Sequence, residues 1–353
     1  MRHRLGLVVL LLAAACRQPE PPGTAEGDPL PGSDFEGPAF ELEQVLPEIY
    51  HARGTGAVAV GANAAIIIND DDVLIVDSHV SPAAAQALLD ELAAVTDKPV
   101  RYVVNTHYHF DHAHGNQIYP PDVEVIGHEL TREMLASGAS KGRAFELFIG
   151  PLPQAIADLR RQVAAAPDDS TRRALEERLA YQERYLASQE GIVPTPPNTT
   201  LSERMTLFRG DREIRLLFFG PGHTGGDVVV HLPGDRVLIT GDLLPAALPY
   251  MGDGFVVDWV ETLEHLKGLD FAVVLPGHGL PFRERERIDW LQEYMGDLWT
   301  RASDARARGL TSEEAAARID MTDHAEHYPS ITAPGVPPVA TLRIWELLEG
   351  RGG

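Results

Sequence analysis

The 353-residue chain contains a single cysteine, Cys16, so it can form neither an internal disulfide nor a zinc cluster built on several thiolates. Any metal must be held by histidine and carboxylate. Basic residues are scarce beside acidic ones: 30 Lys and Arg against 52 Asp and Glu give a formal charge of −22. A surface of that sign repels phosphate backbones, which argues against a nucleic-acid partner. What remains is an ordinary globular balance, 44% hydrophobic and 23% charged. That excludes disorder and supplies one large core or two modest ones.

The amino terminus carries Arg2 and Arg4, an apolar run from Leu5 to Leu12, and three alanines before Cys16. About ten apolar residues fall short of the roughly 20 that cross a bilayer as a helix, so the segment reads as a removable export signal. The small residues before Cys16 resemble the bacterial lipobox, with Ala13 where leucine is usual. The expectation is a signal peptide over residues 1–16 and an exported protein of the periplasm or outer membrane. Its membrane contact would be a lipid anchor at Cys16; the alternative is an incidental cysteine after ordinary cleavage. Residues 17–40, rich in Pro, Gly and acid, read as a flexible linker.

Short β-type runs follow at Ala57–Val60, Ala64–Ile68 and Val73–Val76, then a helix over Pro82–Val95 and strands at Val100–Asn105 and Val123–Gly127. Residues 129–190 change to Arg/Glu/Ala-rich helical sequence, broken near Gly150–Pro153 and Pro167, which reads as an insertion. Strand patterns resume at Met205–Phe208, Glu213–Phe219, Val228–Leu232 and Arg236–Thr240, followed by a helix at Trp259–Leu269 and a strand at Phe271–Leu275. Residues 283–353 read as a helical extension, in which Thr311 and Glu314 have the spacing of a capping box. Two strand-rich halves separated by helices point to a layered α/β (α+β) domain.

The chemistry concentrates after Asn105, where the chain reads Thr106-His107-Tyr108-His109-Phe110-Asp111-His112-Ala113-His114. In extended backbone, residues two apart share a side, so His107 and His109 can face one metal while a turn swings Asp111 and His112 toward a second. Further candidates stand where later strands end: His223 in Pro-Gly-His-Thr-Gly-Gly-Asp, Asp242, and His278 in Pro-Gly-His-Gly. The flanking glycines let the backbone turn sharply and present them.

These segments, in this order, resemble the metallo-β-lactamase superfamily over roughly residues 41–282. The resemblance implies a four-layer αββα sandwich with metals at one edge. It implies His107, His109 and His223 on a first zinc, Asp111, His112 and His278 on a second, and Asp242 bridging. Asp77, at the end of Val73–Val76, matches an early strand-end aspartate that supports the ligands from behind, with a plain turn residue as the alternative. His114 could assist at most from the same outer position.

Imidazole with mixed carboxylate suits zinc first, with iron or manganese also compatible; two Zn²⁺ per chain are expected. Such a pair lowers the pKa of a shared water toward 7 and makes hydroxide available to attack a carbonyl, with Asp111 orienting the water or accepting its proton. The expected substrate is a small molecule with an ester, thioester, lactone or amide bond. Between Asp242 and Asp253 there is no Lys or Arg to clamp a carboxylate. β-Lactam hydrolysis is therefore an alternative, as are a mono-iron sulfur dioxygenase and a non-catalytic metal-stabilised binding protein. Phe148, Tyr181 and Tyr185 of the insertion could wall a pocket, though apolar residues at helical spacing are more often ordinary packing; Leu248 to Met251, including Tyr250, are a second candidate wall, with simple core burial as the alternative. The oligomeric state is open.

Overall fold

The computed structural model describes residues 29–351; the expected signal peptide, Cys16 and the first part of the linker lie outside the described residues. The first sheet runs in chain order: β1 (Phe40–Leu46), β2 (Ile49–Gly54), β3 (Ala64–Ile68), β4 (Val73–Val76), β5 (Val100–Val104), β6 (Glu124–His128) and β7 (Thr199–Leu201). Strands β1 to β4 form an antiparallel meander, and β4 to β7 are parallel. The second sheet comprises β8 (Arg204–Arg209), β9 (Arg212–Leu217), β10 (Val229–Leu232), β11 (Val237–Gly241) and β12 (Val273–Pro276). It is antiparallel up to β11, with β12 added in parallel.

The period-two alternation of these strands builds the layers. Ile67, Leu74 and Val104 of the first sheet meet Leu216, Val230 and Ile239 of the second in a shared core. The alternate residues Ile66, Ile68 and Ile75 face outward onto Leu88 and Leu92 of helix α1 (Pro82–Leu92). This helix begins where the Ser81 side chain accepts the Ala84 N–H and Pro82 presets its first turn. On the far side, Val229, Leu238 and Val274 pack against a second layer of helices, so the chain is an αββα sandwich.

A short helix α2 (Phe110–Ala113) follows β5. The segment between β6 and β7 holds α3 (Glu129–Ala136), α4 (Arg143–Phe148), α5 (Leu152–Ala164) and α6 (Asp169–Ser188), with Asp168 capping the last. Helix α7 (Val256–Leu266) joins β11 to β12, and α8 (Arg287–Ala307), α9 (Ser312–Arg318) and α10 (Pro338–Leu348) follow. Trp259 and Leu263 of α7, Leu291 and Met295 of α8 and Ile344 of α10 belong to one apolar cluster on the second sheet. The Thr311–Glu314 capping box starts α9.

One expectation is corrected. Ala57–Val60 is irregular, not a strand; Val58 and Ala59 are buried within it, so its apolar run is that of a loop folded onto the core. The meander instead begins with β1 and β2, where alternating glutamates in Phe-Glu-Leu-Glu mark a half-exposed edge strand. Residues 29–38 carry no helix or strand, yet Phe35 packs on the α1 cluster and Gly32 lies against Arg184 and Ser188 of α6. No described helix is long and apolar enough to cross a membrane.

Candidate metal centre

Parallel strands deliver their carboxyl ends to one edge of a sheet, and functional groups collect there. Asp77 follows β4, His107 to His112 follow β5, Asp242 follows β11 and His278 follows β12. Because β10 runs antiparallel to β11, the His223 loop before β10 lies at the same end. Short backbone bonds lock these loops together: Val228 N–H to Thr106 O at 2.7 Å, Asn63 N–H to Gly277 O at 2.7 Å, and Gly277 N–H to Gly241 O at 2.9 Å.

All seven residues expected as ligands are thereby brought together. The potential donor atoms of His107, His109 and His223 lie within 4.8 Å of one another, as do those of Asp111, His112 and His278 and those of His107, His112 and Asp242. Asp242 stands between the two main sets, with Oδ2 3.6 Å from His223 Nε2 and 3.3 Å from His278 Nε2, and Oδ1 3.5 Å from His112 Nε2. Asp111 Oδ2 is 3.2 Å from His278 Nε2. Two glycines permit this approach. A Cβ on Gly277 would lie 2.4 Å from Asp242 Oδ1 and 2.7 Å from His112 Cε1, and one on Gly241, which has φ +51°, would lie 2.4 Å from Thr106 Oγ1.

Hydrogen bonds behind the rings fix which nitrogen faces inward. Asp77 accepts from Thr106 N–H at 2.8 Å, from the Thr106 hydroxyl at 2.9 Å and from His112 Nδ1 at 2.7 Å. The hydroxyl has one proton, given to Asp77, so it accepts from His107 Nδ1 at 3.0 Å. Asp253 accepts from His109 Nε2 at 3.1 Å. The inward atoms are therefore the lone pairs of His107 Nε2, His109 Nδ1 and His112 Nε2. His107 Nε2 and His223 Nε2 lie 3.1 and 2.9 Å from His109 Nδ1. Neutral His107 and His109 so oriented turn lone pairs on one another, while His112 Nε2 and Asp242 Oδ1 are buried without a hydrogen-bond partner. A cation among nitrogen and carboxylate donors resolves both conflicts, so the residues fit a divalent metal.

The electrostatics of the two halves differ. Burial, reinforced by the neighbouring rings of His112, His109 and His223, holds His107 well below the usual imidazole range, and burial takes His223 down to about 3. In the other half burial again opposes charging. There, however, Asp242 and Asp111 outweigh it, raising His112 and bringing His278 up to about 10. His107 and His223 are held neutral and ready to donate, whereas the carboxylates Asp111 and Asp242 stand beside His112 and His278.

Asp77 adopts φ +67°, an uncommon backbone for a non-glycine residue that Asp tolerates, and its carboxylate faces Thr106 and His112. His114 is corrected: its Nε2 lies 3.0 Å from Ser140 Oγ and its ring packs near Phe110 and Phe145, outside the donor sets. Its nearness in sequence is undone by the turn of α2. Thr106 and Asp253 escaped sequence reasoning. Thr106 adjoins the histidine motif, but Asp253 comes from a loop with no pattern of its own. Asp227 also contributes, accepting from Thr224 N–H at 2.8 Å and its hydroxyl at 2.8 Å, which shapes the turn that carries His223.

A cavity of about 360 Å³ opens over the donors, and Phe148, Tyr185, Leu248, Pro249 and Tyr250 form its walls. The insertion thus supplies Phe148 and Tyr185 but not Tyr181, which packs nearby in the same apolar cluster. Among the described residues, no Lys or Arg lines this cavity.

The chain is a two-sheet sandwich with a histidine–aspartate cluster, able to hold metal ions, at the strand ends. The family model of the metallo-beta-lactamase superfamily matches residues 57–278, and the chain belongs to that superfamily. The linear primary-alkylsulfatase of Pseudomonas sp. (strain ATCC 19151) is 24% identical over 273 residues, covering 73% of this chain and 50% of that protein. The solved stereoselective inverting sec-alkylsulfatase Pisa1 from Pseudomonas sp. superposes with a TM-score of 0.61 at 19% identity, over 87% of this chain and 50% of that one. A metallo-beta-lactamase from Pontibacter korlensis gives 0.52 at 17% identity, over 73% of this chain and 99% of that one. The chain spans about half the length of the alkylsulfatases it matches. What the match shows is the superfamily and its fold.

Proposed function

We propose that this chain binds two divalent cations, zinc by preference, and hydrolyses an ester, thioester or lactone whose body is apolar. The observation that carries the reading is the seven-residue donor set, of which His109, Asp111, His223, Asp242 and His278 line an apolar-walled cavity. His107, His109, His223, Asp111, His112, His278 and Asp242 would hold the metal pair, and the chemistry it would supply is an activated water at neutral pH and Lewis acidity toward the substrate oxygen. The chain's own residues do the rest. Asp111 Oδ2, beside His278, is placed to accept the proton of the attacking water. Asp242, between the two sets, fixes their spacing. Phe148, Tyr185 and Tyr250 bind the apolar body and exclude bulk water.

A sulfate ester is the second reading. The likeness to the linear primary-alkylsulfatase favours it, and the same walls suit an alkyl chain. That no Lys or Arg is among the described residues lining the cavity disfavours a β-lactam, whose carboxylate would go unpaired. Export and anchoring at Cys16 complete the proposal; Cys16→Ser should release the protein from membranes, and an unchanged membrane fraction would refute the anchor.

The test is a panel of lactones, thioesters, alkyl esters, alkyl sulfates and β-lactams, run before and after chelation. The reading expects turnover of an apolar ester-type substrate, lost on chelation and restored by zinc. Restoration by iron alone with oxygen consumption would replace it with the dioxygenase reading. Full metal loading without turnover across the panel would leave a binding protein.

A further inference from the structure

The loop after Asp242 returns to the metal centre at Asp253, whose Oδ2 lies 3.1 Å from His109 Nε2. That contact leaves His109 Nδ1 facing His107 and His223. Asp253 is flanked by two glycines, and each flanking carbonyl is gripped by an arginine from outside the loop. Arg143 of α4 donates to Gly252 O, and Arg343 of α10 donates to Gly254 O at 2.8 Å. One carboxylate joins both arginines: Glu346 of α10 accepts from Arg143 at 2.6 Å and from Arg343 at 3.4 Å. Arg343 is 8% exposed and also lies over the Phe255 ring at 4.9 Å. On its other side the loop bonds to the His223 turn, Phe255 N–H to Gly222 O at 2.8 Å.

A buried guanidinium requires paired acceptors, and peptide carbonyls held from two sides leave the residue between them little freedom. We infer that Asp253 is the positioning residue of the first metal set, and that the α4–α10 clamp of Arg143, Arg343 and Glu346 sets its place. The carboxyl-terminal helix is thereby part of the metal centre, although it contributes no ligand. The three clamp residues come from the insertion and the extension, so these additions to the sandwich complete the site instead of merely decorating it.

This rests on the proposed metal-binding reading, and the experiment separates the two. Purified full-length protein, stripped with chelator, is titrated with Co²⁺ and with Zn²⁺ against a chromophoric chelator, while far-UV circular dichroism and denaturant unfolding follow the metal-free fold. Wild type that binds neither ion would sink the metal reading. If wild type binds two, Asp253→Ala should weaken one site by 10- to 100-fold and leave the other within threefold, with the cobalt spectrum of the weakened site altered. Asp253→Asn keeps an acceptor and should lose less. Glu346→Gln, with the fold intact, should weaken the same site by a smaller factor. Two wild-type affinities in Asp253→Ala, or equal weakening of both sites alongside a destabilised metal-free fold, would overturn the positioning role. A wild-type first site in Glu346→Gln and in Arg343→Met would overturn the clamp.

Discussion

Asp77→Asn isolates the hydrogen bonds that orient the ligands, because it changes two protons' worth of chemistry and almost no volume. Asp77 has three donors to satisfy: Thr106 N–H on Oδ1, and the Thr106 hydroxyl and His112 Nδ1 on Oδ2. An asparagine amide can replace only one oxygen. With its NH₂ at the Oδ1 position it meets the Thr106 N–H donor head on, leaving two buried donors unpaired, at about 1–3 kcal/mol each. With its NH₂ at the Oδ2 position it pushes His112 into the other tautomer, and Nε2, the atom that faces Asp111 and Asp242, then carries a proton instead of a lone pair. Loss of such a supporting acceptor weakens metal binding by roughly 10- to 100-fold, or about 1.4 to 2.7 kcal/mol. The assay is competition against a chelator of known affinity, with denaturant unfolding of the metal-free protein alongside. Metal affinities within threefold of wild type at both sites would refute the orientation argument.

Gly277→Ala should cost at least one metal and nearly all turnover while leaving the sheets folded, because its methyl would occupy space held by Asp242 Oδ1 and His112 Cε1; metal analysis and circular dichroism check this. Burial pushes His51 down to about 4, against an ordinary value near 6.5. Its contribution is complete above pH 6.5 and lost as pH falls toward 4, about 3 kcal/mol in all. His51→Gln should therefore flatten the acid limb of stability measured by denaturant unfolding from pH 7 to 4. Phe148, 51% exposed and on the cavity wall, should affect KM and not the fold: Phe148→Ala should raise KM roughly tenfold for an apolar substrate with kcat little changed. Thr311→Ala removes the side-chain half of a capping box and should cost about 1 kcal/mol of stability with no change in metal content or rate.

The strands and the ligand clusters were legible because both rest on local pattern. Buried β-branched runs such as Ala64–Ile68 and Val237–Gly241 have one reading, and His-x-His-x-Asp-His has few. Helix breaks in the insertion were legible from Gly150, Pro151, Pro153 and Pro167 for the same reason. What stayed hidden is long-range. Asp253 is 144 residues from His109, and nothing in its own neighbourhood marks it. Arg143 and Glu346, 203 residues apart, look in sequence like ordinary helix-surface charges. His114 misled in the opposite sense, since proximity along the chain put it in the motif while the α2 turn sent its ring to Ser140. Ala57–Val60 failed as a strand because burial alone does not separate a strand from a loop laid over a core.

The central claim is that seven side chains hold a pair of divalent cations. Elemental analysis of the purified chain, stripped with chelator and reloaded with Zn²⁺ before removal of excess metal, measures it directly. The expected result is two zinc ions per chain, falling to one or none in Asp242→Ala. A reloaded wild-type protein that retains no metal would contradict the claim.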